Sequence, residues 1–341
     1  MNVVLLTSDR ESDWQHFVEA SNQASLAHAL GWRNVVEKTY HHVPFYLMAT
    51  DGPEIAGILP LFLIRSPFFG RLLATAPYLS YGGRLADDQK AAQALVQAAQ
   101  EVAKEQGAKY VEIRGLQQVG HGLDLKNKYC TLVLPLTFPA ETLWAQFEAR
   151  ARKAIRKALR FGLSVVRGHH LVGRFAEVLS RHMRDLGTPF HRGIFYRNIV
   201  AELPDQVEIL MVQQNGEDLG GLLLTTSKDT ISPVYGGVLT RYRGVSAMSL
   251  LIWETIRYGC EKGFARVDFG RSRWGSGTFL FKRQWAARPV PLFYEYYLSH
   301  GVKMPDVDPT NPRYRLVVSA WKHLPVCLAK AIGPLIIRDI V

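Results

Sequence analysis

The same order of predicted elements occurs twice along this chain of 341 residues. In each copy a hairpin is followed by Tyr-Gly-Gly, a helix, a closing glycine and a short apolar strand. The Tyr-Gly-Gly segments are 81–83 and 235–237, and the closing glycines are Gly107 and Gly263. Such self-similarity indicates internal duplication, the alternative being a chance repetition of common α/β patterns. The predicted fold class is α/β (α+β), with two similar domains whose mixed sheets are flanked by helices.

The length and the pattern together predict three segments. An N-terminal domain is expected at 1–138, a C-terminal domain at 139–300 and a helical tail at 301–341. The tail mixes apolar residues with cations, and Pro325 and Pro334 are expected to interrupt it. It is too interrupted to span a bilayer. It either packs on the protein as a terminal helix, which we favour slightly, or lies at an anionic membrane interface.

Composition restricts the class of partner. A hydrophobic content of 48% and a charged content of 21% describe a globular protein. The net charge of +11 favours an anionic partner: nucleic acid, a phospholipid surface, or a phosphorylated or diphosphate-bearing substrate.

The spacing of cysteines and histidines indicates neither a disulfide framework nor a metal site. Cys130, Cys260 and Cys327 lie far apart, and the apolar run at the N-terminus is too short for a signal-peptide core. His182 and His191 are interpreted as polar or surface residues. We expect a cytoplasmic protein, either free or peripheral at the inner face of the membrane.

The most basic stretch is a predicted helix at 144–161. Arg152, Arg156 and Arg160 are spaced by four and therefore share one face of that helix. Like charges at this spacing repel each other, so a bound anion would stabilise the face. The alternative is a solvated basic surface.

A glycine-rich segment at 259–285 is the strongest candidate site. A helix ends at Gly263, a short strand follows at 265–269, and a polar turn opens at Gly270 and leads to Phe281-Lys282. Glycines let the backbone turn sharply or approach a ligand closely. The alternative is a tight turn with incidental cations. The turn carries the candidate ligand-binding residues Arg271, Ser272 and Ser276.

A second candidate site precedes the second predicted helix of the repeat. Arg241, Arg243, Gly244 and Ser246 lie between a strand and that helix, whose N-terminal N–H groups favour phosphate. The spacing resembles the pyrophosphate loop of GNAT acyltransferases, with Ser246 in place of the last small residue. That resemblance implies acyl-CoA as a ligand.

The order of elements as a whole resembles the FemAB family, which is built from two GNAT-like domains in tandem. The segment 152–158 followed by Gly162-Leu163 is similar to that family's basic helix, and 268–272, 277–278 and 281–285 are similar to its closing motif. Within the family, the turn at 186–189 and the tail around 321–325 and 333–334 resemble the subgroup associated with PEP-CTERM/exosortase and exopolysaccharide loci. The resemblance covers nearly the whole chain and is most specific at 140–298.

This resemblance implies amide-forming acyl transfer without a serine or cysteine nucleophile. Lys282, directly after Phe281, matches the Phe-Lys pair that the family places at the developing oxyanion; the alternative is a surface lysine. Asp268 is expected either to orient or deprotonate the acceptor amine, or to pair with Arg271 or Arg266.

The remaining predicted site residues would bind substrate. Arg241, Arg243 and Arg271 are expected to bind anions, and Arg152 and Arg156 to bind a diphosphate. Tyr81, Tyr235 and Tyr294 either line the cleft or are half-buried aromatic residues.

The predicted function is amide formation on an amine of a cell-envelope or exopolysaccharide precursor, with no tightly bound cofactor. The donor is aminoacyl-tRNA or acyl-CoA; the tRNA is in doubt because 140–206 is too short for a coiled-coil arm. The acceptor would be an anionic, diphosphate-bearing sugar or lipid carrier. The alternatives are an acyl-CoA-dependent GNAT N-acetyltransferase and a non-catalytic module that binds glycan or nucleic acid.

Overall fold

A computed structural model describes residues 1–120, 122–305 and 315–340. These residues form two compact units that interleave along the chain. The first comprises 1–129, 291–305 and 339–340, and the second comprises 130–290 and 315–338. The sequence placed a boundary after residue 138 and a separate tail from 301; in the structure, most of the described tail groups with the second unit.

The structure contains the following strands and helices in its described part. The strands are β1 (Asn2–Leu5), β2 (Val43–Asp51), β3 (Glu54–Ser66), β4 (Gly70–Thr75), β5 (Leu85–Ala86), β6 (Tyr110–Gly115), β7 (Asp124–Pro135), β8 (Ser164–Arg167), β9 (Val207–Gln214), β10 (Glu217–Ser227), β11 (Thr230–Val238), β12 (Arg266–Asp268), β13 (Ser272–Arg273) and β14 (Arg288–Leu298). The α-helices are α1 (Glu11–Ala20), α2 (Leu30–Tyr40), α3 (Gln89–Glu105), α4 (Ala149–Arg160), α5 (Val172–Leu186), α6 (Gly193–Glu202), α7 (Ala247–Glu261), α8 (Gly277–Arg283), α9 (Arg315–Lys322) and α10 (Val326–Ile337).

The first unit is a mixed sheet with strand order β1-β2-β3-β4-β6-β14. Its pairs are antiparallel except β4 and β6, which pair in parallel at Leu73↔Val111 and Ala74↔Glu112. Helix α3 begins at the N-cap Asp88, whose carboxylate accepts from the Ala91 N–H at 2.7 Å. The helix packs an alanine-rich face on the sheet, as its apolar spacing predicts.

The second unit repeats this plan with strand order β7-β12-β11-β10-β9-β8. Here β11 and β12 form the parallel pair. Helices α4 and α7 share one core with Leu222 of β10, whereas Phe175 of α5 lies against its neighbour Gly221. Because successive residues of a strand point to opposite faces, α7 and α5 cover opposite faces of the sheet. The fold is therefore the predicted one, two tandem α/β units with mixed sheets flanked by helices.

The single helix predicted at 144–161 is wrong in one respect. A 3₁₀ turn at Ala140–Gln146 comes first, and α4 starts only at Ala149. Between them Phe147 is extended and buried in the core, and the Glu148 N–H donates to the carbonyl of Gln284 at 2.9 Å. Burial of Phe147 and this hydrogen bond hold the chain out of the helix.

The tail forms two helices that pack on α5. Trp321 and Ala329 are buried with Phe190. Pro325 precedes α10, but Pro334 lies inside it, so the interruption predicted at Pro334 is wrong. Across the described ranges, no helix is long and apolar enough to cross a membrane.

Candidate active site

The sheet of the second unit opens between β11 and β12. Their parallel pairing ends at Ile231↔Val267. Strand β11 continues to Val238 beside β10, whereas β12 ends at Asp268 and follows β7. Diverging parallel strands leave a gap at their carboxyl ends, which is the edge where open α/β sheets bind ligands. The opening is therefore the candidate ligand-binding edge of this sheet.

A β-bulge in β11 lies beside this opening. Leu223 of β10 faces Tyr235 and Leu224 faces Pro233, so Val234 is the extra residue. Bulges are frequent next to active sites because they redirect side chains and interrupt pairing. This bulge lies in the part of β11 that is no longer paired with β12.

Asp268 forms the β12 side of the opening. Its side chain is buried, and its Oδ1 accepts from the Thr131 hydroxyl and from the Gly270 N–H at 2.8 Å. Of its two predicted arginine partners, Arg266 lies at the exposed start of β12 and pairs with Asp229. Asp268 is instead fixed by a neighbouring strand and by the turn that follows it.

Lys282 of α8 reaches back to the same turn. Its Nζ donates to the carbonyls of Gly270 at 2.9 Å and Arg271 at 3.0 Å. Burial lowers the pKa of Lys282 to about 8, with the Arg271 charge acting in the same direction and Asp268 and Cys130 acting against it. An ammonium carries three N–H donors. Two are used by the turn, and among the described residues no acceptor bonds the third, which is therefore available to a ligand.

Cys130 completes this cluster from β7. Its side chain is fully buried, and its Sγ lies 3.7 Å from the Ser272 carbonyl. Burial raises the pKa of the Cys130 thiol although Lys282 acts against it. A buried thiol with a raised pKa is a poor nucleophile, which agrees with the absence of a covalent step in the predicted reaction.

The glycine-rich turn itself is well ordered by its own hydrogen bonds. Ser276 is the N-cap of α8 and accepts from the Phe279 N–H at 3.2 Å. Ser272 is buried, and its hydroxyl finds no hydrogen-bond partner among the described residues. Arg271 is exposed. Phe281 packs against the core beside Trp285, with ring centroids 6.3 Å apart.

The predicted phosphate loop has the expected position before α7. Residues Thr240–Val245 form a 3₁₀ turn, and Ser246 has the left-handed φ of 63° just before the helix begins. Gly244 and Arg243 are exposed. Arg241 forms an exposed ion pair with Glu217 and lies 4.8 Å from the Tyr242 ring centroid. An incoming anion would compete with Glu217 for this guanidinium.

His182 lies on the β11 side of the opening, and its position was not predicted. Its Nδ1 is 2.7 Å from the Val238 carbonyl, and its ring lies where a Cβ on Gly237 would sit. A carbonyl can only accept, so Nδ1 carries the proton and Nε2 has a free lone pair. Burial lowers the pKa of His182, and the charge of Arg243 lowers it further. The imidazole is therefore neutral near pH 7.

Tyr235, on the bulged part of β11, is held by an aromatic cluster. Its ring centroid lies 5.7 Å from that of His191 and 5.6 Å from that of Phe195. His191 is buried rather than at the surface, and burial lowers its pKa to about 3. The interpretation of His191 as a surface residue is thus wrong, because the start of α6 encloses it.

The basic helix α4 uses two of its arginines within the second unit. Arg152 donates to the carbonyls of Phe147 and Ala145, which the preceding 3₁₀ turn leaves without helical partners. The Arg156 guanidinium lies 5.5 Å from the Trp144 ring centroid. Both side chains thus stabilise the entry to α4, and the structure does not bring them to the Asp268–Lys282 cluster.

Tyr81 and Tyr294 belong to the first unit. Tyr294 is buried, and its hydroxyl donates to the Ser80 carbonyl at 2.6 Å. Tyr81 packs against the same core cluster. Within residues 1–120, 122–305 and 315–340, no group of three His, Cys, Asp or Glu side chains could hold a metal ion.

Sequence reasoning did not predict that Thr131 bonds Asp268 or that His182 lies against Gly237 of β11. Thr131 is a polar residue in the apolar run 130–134, and this break in hydrophobicity was the available signal. For His182 the signal was Gly237, whose missing side chain leaves room for the ring.

Comparison with known proteins identifies the class of this fold. Residues 145–283 match the model of the acetyltransferase (GNAT) domain. This stretch contains α4, α5, the loop before α7, the strand pair β11 and β12, and Lys282. The matched stretch lies within the second unit. No curated protein matches the chain by sequence.

Solved structures extend the likeness to both units. The structure of FemX is 17% identical, with a TM-score of 0.69 over 93% of this chain and 100% of that one. A tandem GNAT protein from the clavulanic acid biosynthesis pathway is 12% identical, with a TM-score of 0.59 over 89% and 99%.

A third similar structure is a C-terminal domain from Agrobacterium fabrum, that of a putative lysylphosphatidylglycerol synthetase. It is 13% identical, with a TM-score of 0.57 over 84% of this chain and 91% of that domain. Together with FemX and the tandem GNAT protein, it shows a tandem GNAT fold. The match to FemX agrees, in fold, with the likeness to FemAB proteins drawn from the sequence.

Proposed function

We infer that this protein is a FemAB-like N-acyltransferase that forms an amide on an amine of a cell-envelope or exopolysaccharide precursor. The observation that carries the proposal is the Lys282 ammonium, which uses two N–H donors on the glycine-rich turn and keeps a third beside the opening of the sheet. The GNAT domain at 145–283 supports the acyl-transfer class. The subgroup resemblance to PEP-CTERM-associated proteins supports the choice of acceptor.

Lys282 would stabilise the oxyanion of the tetrahedral intermediate. The acceptor amine attacks the carbonyl carbon of the donor, and the carbonyl oxygen becomes negatively charged. A donor already fixed by Gly270 and Arg271 needs no reorganisation at that moment, and removal of such a donor costs about 3 kcal/mol. Collapse of the intermediate forms the amide and expels the alcohol of an ester or the thiol of a thioester.

His182 is the candidate general base. The amine loses one proton as the C–N bond forms, and a neutral imidazole with a free Nε2 can accept it. Its Nδ1–H is held by the Val238 carbonyl, which fixes the tautomer that leaves Nε2 unprotonated. The proton then returns to the leaving oxygen or sulfur, so that the protein ends in its starting state.

Asp268 supports Lys282 rather than acting as the base. Its Oδ1 is occupied by Thr131 and Gly270, and its negative charge favours the protonated form of Lys282. It therefore keeps the ammonium charged against the cost of burial.

The donor is either aminoacyl-tRNA or acyl-CoA, with no cofactor held tightly. The loop 240–246 favours acyl-CoA as a second candidate, because Gly244 is exposed and α7 begins at Ala247, directly after this loop. A pyrophosphate at this helix N-terminus would be bound by backbone N–H groups and by Arg243. Arg241 would also bind the pyrophosphate once its ion pair with Glu217 is broken. An acyl-CoA-dependent GNAT N-acetyltransferase remains the alternative function.

The acceptor class follows from charge and from the resemblance. A diphosphate-bearing sugar or lipid carrier suits a chain of net charge +11. A position at the inner face of the membrane would bring the protein to such precursors.

A donor and acceptor panel tests this proposal. Purified protein is incubated with acyl-CoAs or charged tRNA and with nucleotide-linked or undecaprenyl-diphosphate-linked amino sugars, and amide products are detected by mass spectrometry. We expect an amide product with one donor class, and a thermal shift with CoA only if the loop before α7 binds it. Binding of glycan or nucleic acid without any amide product would instead indicate a non-catalytic module.

His182→Gln tests the base within the same assay. Its kcat should fall by about 10²-fold or more, and the acidic limb of the pH–rate profile should disappear because glutamine does not titrate. In the wild type that limb should lie below the usual histidine value of about 6.5, since burial and Arg243 lower the pKa of His182. An unchanged acidic limb in His182→Gln would assign the base elsewhere.

A further inference from the structure

Each of the two tail helices exposes apolar side chains that nothing in the described second unit covers. On α10, Leu328, Ile332 and Leu335 are 48%, 41% and 56% exposed, and they follow each other at intervals of four and three residues. On a helix this spacing places them in one stripe. On α9, Leu316 and Val317 are 84% and 62% exposed. We call these five side chains the tail apolar face.

The same helices are held firmly on their other side. Trp321 of α9 and Ala329 of α10 are buried against Phe190. A Cβ added to Gly333 would be 3.4 Å from the Trp321 ring, so the two helices also touch each other. The tail apolar face is therefore presented by anchored helices, and large exposed apolar faces mark interaction sites.

The charged residues of the tail helices themselves are almost entirely basic. Residues 315–340 contain Arg315, Lys322, Lys330 and Arg338, but only one carboxylate, Asp339. Asp339 is buried and accepts a hydrogen bond from Ser66 Oγ at 2.9 Å. Lys322 and Lys330 are exposed, with Lys330 paired to Glu177 of α5. The tail thus offers apolar side chains and cations without an exposed carboxylate in its described residues.

We propose that the tail apolar face docks the protein on the surface of a bilayer that contains anionic phospholipid. Leucine, isoleucine and valine enter the boundary between headgroups and acyl chains, while lysines stay at the headgroups. Twelve residues of α10 make a helix of about 18 Å, shorter than the roughly 30 Å hydrocarbon core. The helix therefore lies in the interface. This proposal stands apart from the acyl-transfer chemistry, because none of its residues belongs to the candidate active site.

A bilayer fits this face better than a protein partner. The interacting side chains are aliphatic, whereas protein interfaces concentrate their binding energy in tryptophan, tyrosine and arginine. The only described tryptophan of the tail, Trp321, is buried inward and unavailable to a partner.

Vesicle co-sedimentation of the full-length protein tests the proposal. We expect binding to vesicles of phosphatidylglycerol and phosphatidylcholine, and weak binding to phosphatidylcholine alone, since the lysines favour anionic headgroups. The triple variant Leu328→Ser/Ile332→Ser/Leu335→Ser should lower partitioning on the order of tenfold or more, because each leucine or isoleucine contributes several buried carbons. These residues are exposed, so the variant should keep its circular dichroism spectrum and melting temperature.

Matched controls make the outcome decisive. Phe68→Ser removes an apolar side chain that is 73% exposed in the first unit and should leave vesicle binding unchanged. Lys322→Glu should weaken binding to anionic vesicles and reduce its dependence on salt. Wild-type protein that binds neither vesicle, or a triple variant that binds like wild type, would overturn the proposal. A dimer seen by light scattering, lost in the triple variant, with no vesicle binding, would assign the face to a second copy.

Discussion

The two units differ in what occupies the space beyond their corresponding parallel strand pairs. In the first unit the pair is β4 and β6, and in the second it is β11 and β12; each is recorded at two paired positions. Beyond these positions, the segment 79–82 of the first unit fills the gap. The Gly82 N–H donates to the Arg114 carbonyl at 3.1 Å, and the Arg114 guanidinium donates to the Leu79 carbonyl at 3.3 Å. The second unit leaves its gap lined by Asp268 and Lys282.

The carboxylates at the two gaps show the same contrast. Glu112 and Asp268 each lie five residues after the closing glycine of their repeat. Glu112 forms a buried ion pair with Arg114 at 2.9 Å. Burial lowers the pKa of Arg114, but Glu112, Tyr294 and Tyr296 together outweigh burial and raise it. The negative charge of Asp268 instead favours the ammonium form of Lys282, which has one N–H donor beyond the two that bond the turn. The first unit thus closes its gap with a buried ion pair, whereas the second places a lysine beside a buried carboxylate.

Removal of Glu112 should give the largest effect on stability. Glu112→Ala leaves the Arg114 charge buried without its partner, which costs about 3–5 kcal/mol of unfolding free energy. Asp268→Asn keeps a hydrogen-bond acceptor at the corresponding position and should cost less. Urea denaturation followed by circular dichroism measures both. Equal losses in the two variants would mean that the two gaps are equivalent after all.

Removal of Lys282 should give the largest effect on activity. Lys282→Ala deletes the fixed ammonium and should lower kcat by about 10²- to 10³-fold. Arg283→Ala is the matched control, because Arg283 is exposed on the same helix. Steady-state kinetics on the product of the donor panel measure this difference. Similar rates for the two variants would remove Lys282 from the mechanism.

The glycines of the two Tyr-Gly-Gly segments should differ in their tolerance of a methyl group. Gly82 has a φ of 150°, and an added Cβ would lie 2.1 Å from the Ala27 Cβ. At Gly237 the three atoms nearest to the added Cβ all belong to the ring of His182, a side chain that can rotate away. Gly82→Ala should therefore destabilise the protein by about 1–3 kcal/mol. Gly237→Ala should cost less stability but displace His182 and lower kcat. Thermal unfolding and kinetics on both variants check this order.

The smallest predicted effect is a change in the alkaline pH limb. The ammonium form of Lys282 is required, and its pKa is about 8. The rate should therefore fall as pH rises through 8, up to about tenfold per unit above it. Lys282→Arg stays protonated and should lose this limb at a lower overall rate. A limb that persists in Lys282→Arg would belong to another group.

The sequence predicted the fold better than it predicted the contacts of the site. The hairpins, α3 and α7, and the order of elements follow from local periodicity and turn residues, and the structure confirms them. Asp268 and Lys282 were found because both lie next to the glycine-rich turn. Thr131 could not be placed there, because β7 reaches Asp268 only through pairing across 137 residues of sequence.

Other differences have equally local physical causes. The basic helix was expected to begin near Trp144, but burial of Phe147 and the hydrogen bond from Glu148 delay its start. Arg152 was predicted to bind substrate because of its spacing. In the structure it donates to the carbonyls of Ala145 and Phe147, which have no helical partners because α4 starts late. Spacing identifies a face of a helix, but it does not show which groups of the same chain that face will meet.

Strand β14 has a consequence for how the protein is made. Tyr294 and its neighbours pair with β6, yet they are translated about 180 residues later, judging from register pairs such as Glu295↔Ile113. Until the ribosome has released them, the nascent first unit carries an open β6 edge, which invites mispairing between chains. The N-terminal half cannot mature first during synthesis, and a truncated gene ending before residue 291 would yield a half-finished sheet. Chaperone demand should therefore be greatest late in translation.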